Sequence, residues 1–218
     1  MTDAVRNDLA AYYAGRAETY EEVYARPERQ EDLAILKEKV REALRDQHVL
    51  EIACGTGYWT AQMAQSAASV LATDITPEMI DVAKTKSFAA GKVKFALADA
   101  FDLQVDGAFS ACFAGFWWSH VKKRDQLSFL EKLRAKLGKD TLLVLVDNVY
   151  VEGSSTPIAR TDSDGNTYQI RTLPDGTRHE VVKNFPADSA LRKKMAAVVK
   201  DIRIFRLEHY WMLTGRLK

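Results

Sequence analysis

The chain has 218 residues, 47% hydrophobic and 28% charged, a balance that excludes disordered, collagen-like and fibrous proteins. Its 31 Lys+Arg against 30 Asp+Glu leave a formal charge of +1, so no global field draws it to nucleic acid or to an anionic membrane. Cys54 and Cys112 lie in no C-x-x-C pair, which excludes a disulfide framework and gives no redox or zinc motif.

A chain of this size buries roughly 70% of its unfolded surface, so one core suffices and a single domain over 1–218 is expected. The opening MTDAVRNDLAAYY carries acids and lacks a signal-like apolar core. No stretch approaches 18 uninterrupted apolar residues, and the expectation is a soluble cytoplasmic protein.

Helices are predicted over 2–14 and 28–46, the second placing Leu33, Leu36, Val40 and Leu44 on one face. From Val49 short apolar runs alternate with helical stretches. Strands are predicted at 48–53, 69–73, 92–97, 107–114 and 141–147, with helices at 57–67, 77–89 and 122–137. Thr76 followed by Pro77 reads as a capped helix start. Leu127, Leu130, Leu133 and Leu137 share a face of the helix at 122–137. Such β-α repetition requires parallel strands joined by crossover helices, an open α/β sheet.

After Asn148 the pattern changes. Two Asp-Gly pairs and the run NTYQIRTL-PDG-TRHEVVK predict a β-hairpin within 149–185. A helix at 188–200 and strands near 202–206 and 209–216 complete the chain. The segments read as a helical N-terminal lid (1–46), a core (47–148), a hairpin insertion (149–185) and a C-terminal helix with a strand pair (186–218).

The segment VLEIACGTGYWT at 49–60 runs a buried strand into Gly55 and Gly57 and then into a helix. Such a turn brings bare backbone and helix-start N–H groups to a ligand. Seventeen residues beyond Gly57, at the end of the second strand, Asp74 stands where a nucleoside's ribose lies in a doubly wound sheet. A dinucleotide fingerprint would place a third glycine at Thr60 and a pyrophosphate at the turn, which Glu51 would repel. A phosphate-free ligand carrying an ammonium and a sulfonium suits that acid better.

On E-x-A-C-G-T-G and Asp74, over about Val49 to Asn148, the chain resembles the class I S-adenosylmethionine-dependent methyltransferases of the small-molecule type. The resemblance implies a Rossmann-like, seven-stranded, mostly parallel sheet with helices on both faces and the last strand antiparallel. It implies S-adenosyl-L-methionine as cofactor, with Glu51, Ala53, Gly55 and Gly57 at its methionine end and Asp74 on the ribose. Ala53 stands where the family usually has a glycine. Asp99 with the backbone of Ala100, beside Phe101, would read the adenine, and Ile75 and Met79 would wall the ring. Tyr13, with Tyr12, Arg16 and Tyr20, belongs to a segment that folds over the cofactor in that family.

Methyl transfer needs alignment, exclusion of water and, for some acceptors, removal of a proton, but no metal. The fourth strand delivers Trp117 and Trp118 as stacking faces for a planar acceptor and His120 as general base or acceptor-orienting group. The hairpin brings Tyr150, Tyr168, Arg171 and His179 to the acceptor side, with no role assigned. The expected partner is a small molecule, not nucleic acid or membrane, and the protein a monomer or homodimer.

Three other readings compete. Residues 151–218 hold 12 Lys+Arg against 8 Asp+Glu, which leaves room for a nucleic-acid methyltransferase, although no N/D-P-P-Y/F string follows the fourth strand. A non-catalytic nucleoside-binding domain would use the same fold. An NAD-dependent oxidoreductase is opposed by Thr60 and Glu51.

Overall fold

The computed structural model describes residues 9–218. The expected helix over 2–14 lies partly outside them; within them residues 9–14 are helical (α1) and Ala17–Tyr24 forms a 3-10 helix. A seven-stranded sheet forms the centre, built from β1 (His48–Ile52), β2 (Ser69–Asp74), β3 (Val93–Leu97), β4 (Ala111–Gly115), β5 (Leu142–Asn148), β9 (Val199–Arg206) and β10 (Tyr210–Leu217). Its order is β3-β2-β1-β4-β5-β10-β9. Strands β1 to β5 pair in parallel, and β10 runs antiparallel to both β5 and β9. The strand order reverses between β1 and β4, and open sheets of this kind receive ligands at that point, beyond the carboxyl ends of the strands.

Alternation along β1 sends Val49 to one layer and Leu50 and Ile52 to the other. The first layer packs Leu33, Leu36 and Val40 of α2 (Gln30–Ala43), Trp59 and Met63 of α3 (Tyr58–Met63) and Ile80 of α4 (Pro77–Lys84) against Val49, Val70, Phe113 and Val144. The second packs Phe129, Leu130 and Leu133 of α5 (Gln126–Leu137) and Leu191 and Met195 of α6 (Asp188–Met195) against Leu50, Cys112 and Leu145. Each fully buried aliphatic side chain contributes about 1.5–3 kcal/mol relative to exposure.

Several expectations need correction. Gly107, at a φ of 141°, breaks the fourth strand, which begins at Ala111 rather than 107. Leu127 is exposed and Phe129 takes its place in the core, because α5 starts at Gln126. The helix expected to reach 200 ends at Met195, and the β-branched pair Val198-Val199 turns the chain into β9. Thr76 is the N-cap residue of α4 but makes no side-chain capping bond; its N–H instead donates to Asp74 Oδ1 at 2.9 Å. The insertion carries three strands, β6 (Arg160–Thr161), β7 (Thr167–Thr172) and β8 (Arg178–Val182), with Gly165 and Gly176 supplying the positive φ of the two turns.

Candidate functional site

A cavity of about 570 Å³ opens at the carboxyl ends of β1 to β4. Ala53 and Gly55 follow β1, Asp74 ends β2, Asp99, Ala100 and Phe101 follow β3, and Gly115 ends β4; all line it, as do Ile75 and Met79. Gly55 adopts a φ of 56°, and a Cβ there would meet nothing closer than Tyr20 at 3.9 Å. The absent side chain leaves bare backbone facing the cavity.

Asp74 is held on this wall by two backbone donors. Its Oδ2 accepts the Gly55 N–H at 2.8 Å and its Oδ1 that of Thr76. Burial raises its pKa, and these backbone donors oppose the rise. Each oxygen keeps further lone pairs for a ligand's hydroxyl groups. Asp99 Oδ1 accepts the Phe101 N–H at 2.8 Å, a turn that fixes its carboxylate on the same wall.

Three residues expected at the cofactor or acceptor lie elsewhere. Gly57, the left-handed N-cap of α3, is off the cavity wall; a Cβ there would meet the Cβ of Ala83 at 3.0 Å, so the glycine serves the close approach of α4. Trp118 is buried and packs near Phe129 in the second layer, because consecutive residues of its 3-10 turn face different ways. Tyr150 packs on Phe185 at 5.2 Å and lines neither cavity. Trp117 does line the first cavity, held between Phe101 and Phe129 at 5.5 and 4.7 Å.

Glu51 also differs from expectation. It is buried beneath the turn, off the cavity wall, and accepts the Thr60 hydroxyl at 2.5 Å. Burial pushes its pKa up to about 8, with the nearby Asp74 charge adding to the rise. Turned to Thr60 and off the cavity wall, the Glu51 carboxyl does not face a ligand in the cavity. Because its folded pKa lies above the ordinary 4.5, its stabilising contribution is complete below that value and is lost as the pH rises through about 8. Glu51→Gln, always neutral and still able to accept from Thr60, should match the wild type in Tm near pH 5 and exceed it near pH 9. Each kcal/mol of difference corresponds to about 2–4 °C. Parallel Tm profiles for the two proteins would show that Glu51 is ionised when folded.

A second, smaller cavity of about 90 Å³ adjoins the first and shares Tyr13, Tyr20, Phe116 and His120 with it. The 3-10 segment that brings Tyr20 there is tethered through Glu21, which accepts from Thr56 at 2.8 Å and pairs with Lys86 at 2.6 Å. The insertion contributes Ser154, Ser155, Thr156, Gln169, Arg171, Lys183 and Phe185. Of the hairpin residues singled out in the sequence, only Arg171 lines this cavity. Tyr168 bonds Asp162, and His179 lies against the Tyr12 ring.

At the shared boundary His120 Nδ1 faces the Val182 carbonyl at 2.5 Å. A carbonyl only accepts, so Nδ1 carries the ring proton. Nε2 then accepts the Tyr13 hydroxyl at 3.0 Å. Burial, together with the Lys183 and Arg171 charges, holds His120 well below its ordinary pKa, and burial holds Tyr13 well above its own. Both groups are therefore neutral near pH 7, and the imidazole lone pair is already engaged.

Sequence reasoning missed a buried polar cluster behind this boundary. Lys183 Nζ lies 2.9 Å from Asp147 Oδ1 and 2.6 Å from Ser119 Oγ. Asp147 also accepts the N–H groups of Ser119 and Asn148, each at 2.8 Å. An Asp next to the end of a largely apolar buried strand, LLVLVDN, was the available signal.

The fold and this cavity define an open α/β protein with a ligand-sized cavity where the strand order reverses, and comparison with known proteins narrows the class. Residues 49–140 match the family model described as a methyltransferase domain. A magnesium-protoporphyrin O-methyltransferase of Rhodobacter capsulatus is 35% identical over 71 residues, 32% of each chain. The O-methyltransferase cnsE of Penicillium expansum is 32% identical over 123 residues, 54% of this chain and 39% of that one. The matches thus span about a third of these relatives' lengths. The solved complex of DhpI with SAH superposes with a TM-score of 0.82 at 26% identity, covering 100% of this chain and 98% of that one. In its methyltransferase domain and in its whole fold the chain is therefore similar to methyltransferases solved with SAH or SAM. Among the described residues no helix is long and apolar enough to cross a membrane.

Proposed function

We propose that the protein transfers a methyl group from S-adenosylmethionine to an oxygen or nitrogen of a small molecule. The carrying observation is one cavity wall that gathers Gly55, Asp74, Ile75, Met79 and Asp99 and opens, past Tyr13 and His120, into a second cavity. The cofactor supplies a methyl group activated on a sulfonium. Asp74 would hold the ribose, Asp99 and the Ala100 backbone the adenine edge, and Ile75 and Met79 the ring faces, while Gly55 and Ala53 leave backbone open to the methionine end. Tyr13 and Tyr20 cover the junction and exclude water, and the Tyr13–His120 pair orients the acceptor.

The planar-acceptor expectation rested on two stacking tryptophans. With Trp118 in the core and Trp117 on the cofactor side, planarity is not part of the proposal. The test is calorimetric titration with S-adenosylhomocysteine and with NAD. One-to-one binding of the first and no heat with the second is expected; the reverse pattern, or no binding of S-adenosylhomocysteine, would discard the reading.

A further inference from the structure

We infer that the methyl acceptor is a small oxyanion, a carboxylate or a phosphorus oxyacid, held in the second cavity by Arg16, Arg29, Arg171 and Lys183 with one oxygen at the Tyr13–His120 boundary. This deepens, and rests on, the methyl-transfer reading above.

The first support is the charge on the cavity wall. Arg16, Arg26, Arg29, Arg171 and Lys183 all line it, and among the described residues no carboxylate does, in a chain whose formal charge is +1. These cations come from four separate parts of the fold: the N-terminal turn, the entry to α2, β7 and the end of β8. A solvated helix face does not explain such convergence, and packing like charges together is unfavourable unless something anionic joins them.

The second support is incomplete pairing. Lys183 has Asp147; Arg26 and Arg29 lie at 4.0 and 3.9 Å from the half-exposed Glu28 and also donate to Ser154. Among the described residues the Arg16 guanidinium donates to the Tyr12 hydroxyl, at 2.8 Å, and lies over the Tyr20 ring at 6.0 Å. Arg171 donates from Nη2 to Gln169 at 2.6 Å, while its Nε is buried without any acceptor. Among the described residues no carboxylate lies within ion-pair distance of Arg16 or Arg171. A guanidinium with a buried, unused donor is built for bidentate recognition of an oxyanion.

Size and chemistry agree. A cavity of about 90 Å³ holds about three waters, enough for one carboxylate or phosphoryl group. An acceptor that arrives ionised uses its own oxygen lone pair to form the oxygen–carbon bond while the carbon–sulfur bond breaks and its electron pair stays on sulfur. The negative charge of the oxygen and the positive charge of the sulfonium cancel, and no proton has to leave. That matches a boundary where the imidazole lone pair is already occupied by Tyr13.

The test titrates protein saturated with S-adenosylhomocysteine with inorganic phosphate and, separately, with acetate. Saturable one-to-one binding of at least one anion is expected, and the preferred anion separates phosphorus oxyacids from carboxylates. Arg171→Met and, separately, Arg16→Met should each weaken that binding by about tenfold or more, with the affinity for S-adenosylhomocysteine unchanged as the control for folding. Normal S-adenosylhomocysteine binding with no millimolar saturation by either anion would overturn the inference. So would anion binding that both variants leave unaltered, which marks an adventitious ion only. Loss of S-adenosylhomocysteine binding with anion binding intact would instead overturn the methyl-transfer reading.

Discussion

Replacing Asp74 with alanine is expected to weaken S-adenosylhomocysteine binding by about 1 to 3 kcal/mol, roughly 5- to 150-fold. The carboxylate is preorganised: one oxygen is held by Gly55 N–H and the other by Thr76 N–H, so a ribose would meet an acceptor that is already ordered and nearly buried. The same two bonds tie the glycine turn after β1 to the start of α4, and the variant should also unfold at a lower temperature without ligand. Asp74→Asn separates the two effects. It keeps one acceptor oxygen for the turn but offers an amide donor where the second oxygen stood, so it should recover more stability than affinity. An unchanged dissociation constant in the alanine variant would contradict the ribose assignment.

Asp74 was legible in the sequence because its position follows from local grammar. A strand, a glycine turn, a helix and a second strand fix the distance from Gly57, and the carboxyl end of a parallel strand can only face the ligand edge. Asp99 was legible for the same reason. The tryptophans were not, since adjacent residues differ in direction and sequence does not say which of Trp117 and Trp118 turns inward; the structure buries Trp118. Glu51 misled because an acid near a ligand turn looks charged, whereas Thr60, one turn into α3, covers it. The cationic cavity was the least legible feature. Arg16, Arg26 and Arg29 sit among Glu18, Glu21, Glu22 and Glu28, so the segment reads as charge-balanced, and only the fold turns the arginines inward beside Arg171 and Lys183.

The buried Asp147–Lys183 pair should show an unequal response to losing either partner. Asp147→Ala leaves Lys183 enclosed beside Arg29 and Arg171, both of which already depress its pKa, and orphans the N–H groups of Ser119 and Asn148. A loss of about 3–5 kcal/mol of stability is expected, the usual cost of leaving one buried charge unmatched. Lys183→Met should cost less, because Asp147 keeps three donors, the N–H and hydroxyl of Ser119 and the N–H of Asn148. Urea midpoints with unchanged m-values measure both. The pH dependence follows from the direction of the Lys183 shift. Its pKa in the folded protein lies below the ordinary 10.5, chiefly through burial, so between the two values the unfolded chain binds more protons and stability rises with pH. Removing Asp147 takes away the charge that opposes this shift and should steepen the rise over the alkaline range, while Lys183→Met should abolish that component. If Lys183→Met proved the more damaging change, the carboxylate would be the ill-matched partner and the cavity wall less positive than its arginines imply.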